Sequence, residues 1–535
     1  MKKIYTLVFV CLSFAANAQF NFQHLYGGSN QERGQTLLET YNNMFLFNGA
    51  TTSYGQGNAD AIFIKNDNAG RIIWSKVYGL TDYDNSEFAI ETPDFGYLAV
   101  GRSIVSIGSG FTDAWIYKTD SAGILQWSKA YGNPGVNDGF VQGINTADNG
   151  FTFIGNTRSI GVGSNDVFLV HTNAIGDTIF TRSFGSVESE SGLSVIQTTD
   201  GGYAICGRQQ TFPNGVAQSD GLIIRTDVNG DLLWANLYGD SLWEEFESIQ
   251  ELSNGRLVIA GSTVSFGQGN YDILMMMTDS AGLPLISVAY GGLNSDASYS
   301  VLVNTDNSLV ISGYTDSYGY GHNLMGTDST NIFLLKTDTT GQVLWMNTFG
   351  DGLQDEAFRS AKALDGGYMI SGFTSNYIYP DSSQMLFIKT DSLGSSGCHE
   401  KFVTPLTSTN TMIFNPALFI QNSGVGVNNV NVIESTIITS DDDACLFANI
   451  LSAENSDSFL IYPNPFVSEL NLDLADMKGS EFSVKIIAAN GTIVFSQSIQ
   501  SNESINTANL ADGLYCIILT SANHTFIQKI VKSAH

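Results

Sequence analysis

The chain has 535 residues, enough for several domains or one large repeat array, and 43% of them are hydrophobic, which excludes global disorder. Glycine is abundant at 55 residues and aromatics reach 11%, a mixture that favours many short strands and tight turns over long helices. With 52 acidic against 23 basic residues the net charge is −29, which repels phosphate backbones and disfavours nucleic-acid partners while suiting divalent cations or basic surfaces.

The N-terminus reads MKKIYTLVFVCLSFAANAQF: two lysines, an apolar run, then Ala16-Asn17-Ala18. That order predicts a secretory signal peptide over residues 1–18, cleaved after Ala18. Cys11 lies inside the apolar run without the small residues that precede a lipidated cysteine, which argues against a lipid anchor. Losing Lys2 and Lys3 with the leader takes the net charge to −31. No later stretch approaches 18 continuous apolar residues, so no transmembrane span is expected.

From residue 19 onward the chain repeats. An aromatic-Gly pair recurs at Tyr26, Tyr78, Tyr131, Phe184, Tyr238, Tyr290 and Phe349, at intervals of 52, 53, 53, 54, 52 and 59 residues. A turn of the form Asp/Asn-x-x-Gly starts at Asp67, Asp120, Asn173, Asp227, Asp279, Asp338 and Asp391. A glycine closing an apolar run stands at Gly49, Gly101, Gly155, Gly207, Gly261, Gly313 and Gly372. Within one copy, FESIQEL, RLVIAGS, DILMMM and LPLISVAYG alternate with period two and are joined by Asn-, Asp- and Gly-bearing turns. Four antiparallel strands in a unit of about 50 residues, repeated seven times, predict a β-propeller over residues 19–396. The seventh copy ends at KTDSLG with no fourth strand, while NFQHLYGG near residue 22 is a fourth strand without a blade. Pairing the two closes the ring and removes both open sheet edges. The fold class is therefore all-β: a seven-bladed β-propeller closed by an N-terminal strand. Asp200-Gly201-Gly202-Tyr203, Asp365-Gly366-Gly367-Tyr368, Lys118-Thr119-Asp120 and Lys336-Thr337-Asp338 resemble the repeats of secreted bacterial propellers, a likeness that implies a fold and no activity.

Residues 397–457, rich in Thr, Asn and Ser with short apolar runs, read as a connector with some extended structure. Residues 458–535 carry about seven short strand-like runs, which predict a small immunoglobulin-like β-sandwich. Tyr462-Pro463-Asn464-Pro465 opens this tail, Asn490-Gly491 makes a hairpin turn, Gly513-Leu514-Tyr515 precedes the last strand pair, and Lys529 and Lys532 lie near the end. In combination these motifs closely resemble the type A C-terminal sorting domain of the type IX secretion system. The resemblance implies export to the periplasm, engagement of the type IX machinery, passage across an outer membrane, and release or attachment to surface lipopolysaccharide.

A position repeated in every blade serves the blade, whereas a feature unique to one blade is a candidate for ligand contact. Carboxylates open the third strand at Asp60, Asp113, Asp166, Asp220 and Asp272, and a second acidic set follows each aromatic anchor: Glu32, Asp84, Asp138, Glu190, Glu244, Asp296 and Asp355. The loops carrying both sets emerge on one face. Oxygen ligands in that pattern suit calcium, while their sevenfold recurrence suits carboxylates that accept backbone N–H bonds within their own loops. The longer blade-six loop holds Tyr320, His322 and Met325, with Tyr379 on the neighbouring loop, and is the candidate ligand contact. Cys398 and Cys445 lie in polar, irregular sequence, where an oxidising compartment permits a disulfide between them. Nucleophile, zincin and phosphate-loop motifs are absent. Two functions fit: a non-enzymatic surface module binding a glycan, a protein or a surface polymer, or a carbohydrate-active hydrolase or lyase using carboxylates on the propeller face.

Overall fold

The computed structural model describes residues 21–532 except 106–109, 213–215, 241, 321–328, 376–381, 410–411, 417–419, 423–426, 430–432, 438–439, 444–459, 463–466, 474–480, 489–492, 501–503, 511–512 and 521–524. Blade one consists of Glu32–Glu39, Phe45–Thr51, Asp60–Asn66 and Ile72–Gly79, paired antiparallel in that order. Blades two to six repeat the plan, beginning at Asp84, Gly139, Ser189, Glu244 and Asp296. The two middle strands of each blade are buried on both faces, so they read as near-continuous apolar runs such as Asp272–Thr278. Apolar side chains of adjacent blades interleave, as where Val258 and Ile273 of blade five pack with Ile311 and Phe333 of blade six.

Blade seven supplies only Asp355–Lys362, Tyr368–Ser375 and Ser383–Lys389, and Phe22–Gly27 completes its sheet as fourth strand. The expected seam is therefore present. Phe22 packs edge-on against Phe387 at 4.8 Å, and the Tyr26 hydroxyl donates to the Gly70 carbonyl of blade one at 2.6 Å. That hydrogen bond is one copy of a general stitch. Tyr78, Tyr238 and Tyr290 donate to Gly123, Gly282 and Gly341 of the following blade at 2.6–2.7 Å. Blade six has Phe349 at this position, and there Asn347 donates to Gly394 at 2.8 Å instead. The receiving glycines hold positive φ, and a Cβ on Gly123 would stand 2.8 Å from the Trp74 ring. No other residue fits that corner.

The segment expected to be a connector is a belt. Its short strands run backwards around the ring, each antiparallel to the outermost strand of one blade. Glu400–Val403 pairs with blade six, Leu406–Thr409 with five, Ile413–Pro416 with four, Ile420–Asn422 with three, Val427–Asn429 with two and Ile433–Ile437 with one. A bare fourth strand would offer an open row of N–H and C=O groups for pairing with another chain, and the belt occupies that row blade by blade.

Within the tail, Leu460–Tyr462, Glu469–Asp473 and Ser504–Asn506 form one antiparallel sheet. Ile493–Gln500, Glu481–Ala488, Gly513–Thr520 and Thr525–Lys532 form another. Val484, Ile486, Ile517 and Leu519 are buried, so one side of the larger sheet is apolar at period two.

Candidate functional site

Every first strand carries a β-bulge at the same place, where one extra residue is pushed out of the ladder. The backbone feature repeats in every blade, while the residue varies: Gln35, Glu87, Val141, Leu193, Glu247, Tyr299 and Phe358, with only Glu occurring twice. Six of these, with Arg359, line a cavity of about 190 Å³ on the ring axis. Beyond the bulges the axis opens into a second cavity of about 460 Å³, lined by the later residues of the first strands.

The bulge interrupts the ladder, and side chains make up the loss. Thr36, Gln142, Ser194 and Ser248 each accept from an N–H of the next blade's first strand, at 2.6–3.4 Å. Blade seven departs from this: Arg359 occupies the position and donates to the Tyr299 carbonyl at 2.6 Å. Aromatic rings gather around it. Tyr299 lies 6.0 Å from Tyr314 and 6.1 Å from Phe358, and Phe358 stacks on Phe373 at 5.7 Å. Across the axis Arg208 pairs with Glu245 at 2.5 Å and lies over the Trp243 ring. Burial raises the Glu247 carboxyl well above the ordinary carboxylate range; neighbouring Glu245, hydrogen-bonded to it, reinforces this, and Arg359 and Arg208 oppose it. Arg33 lies over Phe373, and Arg102 lies beside Gly139 of blade three. Four of the chain's nine arginines thus stand close to the axis of a strongly acidic protein.

The repeated carboxylates form pairs between blades. A Cβ on Gly79 would meet Asp60 Oδ1 at 2.0 Å and Asp84 Oδ2 at 3.1 Å, and Gly132, Gly239 and Gly291 stand equally between Asp113 and Asp138, Asp220 and Glu244, and Asp272 and Asp296. This crowding explains the glycine of every aromatic-Gly pair. The second acid of each pair holds its own loop: Glu32 accepts from Gly28 N at 3.1 Å, Glu244 from Asp240 N at 3.1 Å, and Asp296 from Gly292 N at 2.8 Å. Asp60 and Asp272 accept from Gly57 N and Gly269 N, and Asp166 accepts from Gly163 N at 3.4 Å. Burial, reinforced by the facing carboxylate, pushes Asp60, Asp113, Asp220 and Asp272 up to about 6. Among the described residues no three His, Cys, Asp or Glu side chains gather as a metal site, so calcium would have only these pairs.

Of the blade-six candidates, Tyr320 is 47% exposed, and its backbone exchanges two hydrogen bonds with the Asn331 side chain. His322, Met325 and Tyr379 lie outside the described residues. Cys398 is disulfide-bonded and Cys206 is free and buried; Cys445 lies outside the described residues. In the tail Gly513 pairs with Lys532, Tyr515 with Ile530 and Cys516 with Lys529, while Tyr462 ends a strand and 463–466 lie outside the described residues. Sequence reasoning missed the axial residues. Their signal is one column, three residues after each second-set acid, that varies from blade to blade while the acid itself recurs.

Residues 460–533 match the family of secretion system C-terminal sorting domains. The tail is a type IX sorting domain. The exported propeller is accordingly a secreted or cell-surface protein that engages the type IX machinery through that tail, and none of its described helices is long and apolar enough to cross a membrane. Part of the chain is 28% identical over 171 residues to the regulatory protein FlaEY of Caulobacter vibrioides, covering 28% of this chain and 18% of that protein, so it spans less than a fifth of that relative. Among solved structures, the extracellular domain of a hybrid two-component system from B. thetaiotaomicron is 9% identical with a TM-score of 0.27, over 93% of this chain and 67% of that one. A second such domain from the same organism is 10% identical with a TM-score of 0.26, over 96% and 99%.

Proposed function

We propose that the exported propeller is a surface binding module for a glycan and that its contact site is the axial cavity. The observation that carries this reading is the bulge column: a backbone device kept in all seven blades presents six different residue types, Glu alone recurring, in blades two and five. Ring-shaped ligands are held by flat aromatic faces and a few placed polar groups, and Tyr299, Phe358, Glu247 and Arg359 supply both. A protein ligand or a lipopolysaccharide headgroup would meet the same groups. The hydrolase alternative would need two axial carboxylates, such as Glu87 and Glu247 of the cavity lining, to flank a scissile bond.

The purified chain is screened against an array of glycans and surface extracts, with and without calcium, beside Tyr299→Leu and Glu247→Gln. Both variants, checked for unchanged circular dichroism, are expected to lose at least tenfold in affinity for whatever the wild type retains. Unchanged binding by both would remove the axial site, and shortened oligosaccharides in the eluate would restore the hydrolase.

A further inference from the structure

On the face opposite the carboxylate pairs, most blades carry a cation on the third strand and an acid in the turn between the first two strands. Lys118 pairs with Asp94 at 2.6 Å, His171 with Asp148 at 3.0 Å, Arg225 with Asp200 at 2.7 Å and Lys389 with Asp365 at 2.7 Å. In blade six the same two positions hold Lys336 and Asp306. Blade five has lost both partners, with Met277 and Asn254 at the two positions. Blade one has lost only the acid. Its turn offers Asn42, and Lys65, 3% exposed, is left donating to the Thr40 hydroxyl at 2.6 Å with no ion pair among the described residues.

This lysine lines a cleft of about 310 Å³ between blades one and two. Aromatic rings wall it. Lys65 Nζ stands 5.1 Å from the Tyr97 ring centre, Trp74 lies 6.3 Å from Tyr97, and Tyr41 and Phe95 meet at 4.9 Å at the rim, where they are 78% and 50% exposed. Phe95 holds φ of +62°, a turn position filled by Asn or Gly in every other blade. A bulky residue held left-handed is an outlier that points to a role for its side chain. Glu91, the nearby acid of the cleft, already accepts from the Tyr41 amide at 2.8 Å.

We propose that this cleft binds a carboxylate carried on a ring-shaped body, the ligand supplying Lys65 with the negative charge that an aspartate supplies in blades two, three, four and seven and that the neutral Asn42 does not. The aromatic walls hold the ring and the ammonium holds the charge. A uronic-acid unit and an aryl carboxylic acid share this chemistry. The site is separate from the axial cavity and does not depend on it.

Calorimetric titrations of the full mature chain with glucuronate and phenylacetate, each beside its neutral analogue methyl glucoside or phenylethanol, test the assignment and tell the two sources apart. Carboxylates are expected to bind at least tenfold tighter than their neutral analogues. Asn42→Asp rebuilds the pair found in other blades, where Thr–Asp contacts match Thr40 to Asn42 at 2.7 Å. It is expected to keep the fold and abolish carboxylate binding. Lys65→Met copies blade five and is expected to do the same. Equal binding of carboxylate and neutral analogue, no saturation by either acid below about 10 mM, or undiminished binding by Asn42→Asp would each overturn the proposal.

Discussion

Replacing Asp220 by Asn tests whether the paired carboxylates work against the ring. Asp220 and Glu244 flank Gly239, their oxygens 2.1 and 2.9 Å from the point where a Cβ would stand. Burial, then Glu244 and Asp240, raises the Asp220 pKa from 3.8 to about 6. At about 1.36 kcal/mol per pKa unit that is at most ~3 kcal/mol. The group is partly exposed, and solvent screening reduces the figure to roughly 1 to 1.5 kcal/mol. The sign follows from proton uptake: the folded chain binds more protons than the unfolded chain between those two pKa values. Stability is therefore lost as pH rises from about 4 to about 6, and the full penalty persists above that. Asn carries no such penalty. Urea midpoints are measured at pH 4 and pH 8, midpoints being compared because a seven-blade ring need not unfold in two states. The variant should be more stable by about 1 kcal/mol at pH 8 and indistinguishable at pH 4. A loss of stability at both pH values would refute the reasoning and show that the carboxylate is needed as an acceptor. Millimolar calcium at pH 8 should raise the wild-type midpoint and leave the variant unmoved if the pair takes a cation. No effect on the wild type would dismiss calcium there.

Tyr26→Phe removes one hydroxyl at the seam and should lower stability by about 1 kcal/mol, whereas Tyr26→Ala should cost about 3 to 5 kcal/mol and make the N-terminal strand the first site of limited proteolysis. Gly79→Ala forces a methyl onto Asp60 and should destabilise by roughly 1 to 3 kcal/mol, with partial recovery in the Gly79→Ala/Asp60→Ala double variant read by urea midpoints. A recombinant chain ending at residue 397 should lose amide-exchange protection in the outermost strands, Ile72–Gly79 and Pro284–Gly291 foremost, because their free edges are uncovered. Mass spectrometry of the exported protein, without reduction, is expected to find Gln19 as the first residue and Cys398 linked to Cys445.

Much of the fold was legible because its determinants are local. The Asp-x-x-Gly turn binds itself, Asp120 Oδ1 accepting from Ala122 N and Ile124 N at 2.8–2.9 Å, so it leaves the same trace in each copy. The belt was legible only in hindsight. Leu406, Ile413, Ile420, Val427 and Ile433 open successive belt strands at steps of six or seven residues, too short a period to announce itself among Thr and Asn. Each belt strand borrows its order from a blade already built.

The sequence by itself determined the number of blades, the borrowed closing strand and the secretion address, since period-two alternation, turn chemistry and tail motifs all act between near neighbours along the chain. Only the tertiary structure decided which side chains meet on the axis. Glu247, Tyr299 and Phe358 stand about 50 to 110 positions apart in the chain, and their common place three residues after an acid does not say that they meet. Closing the ring brings them together, and a bulge that disrupts each first strand turns them inward.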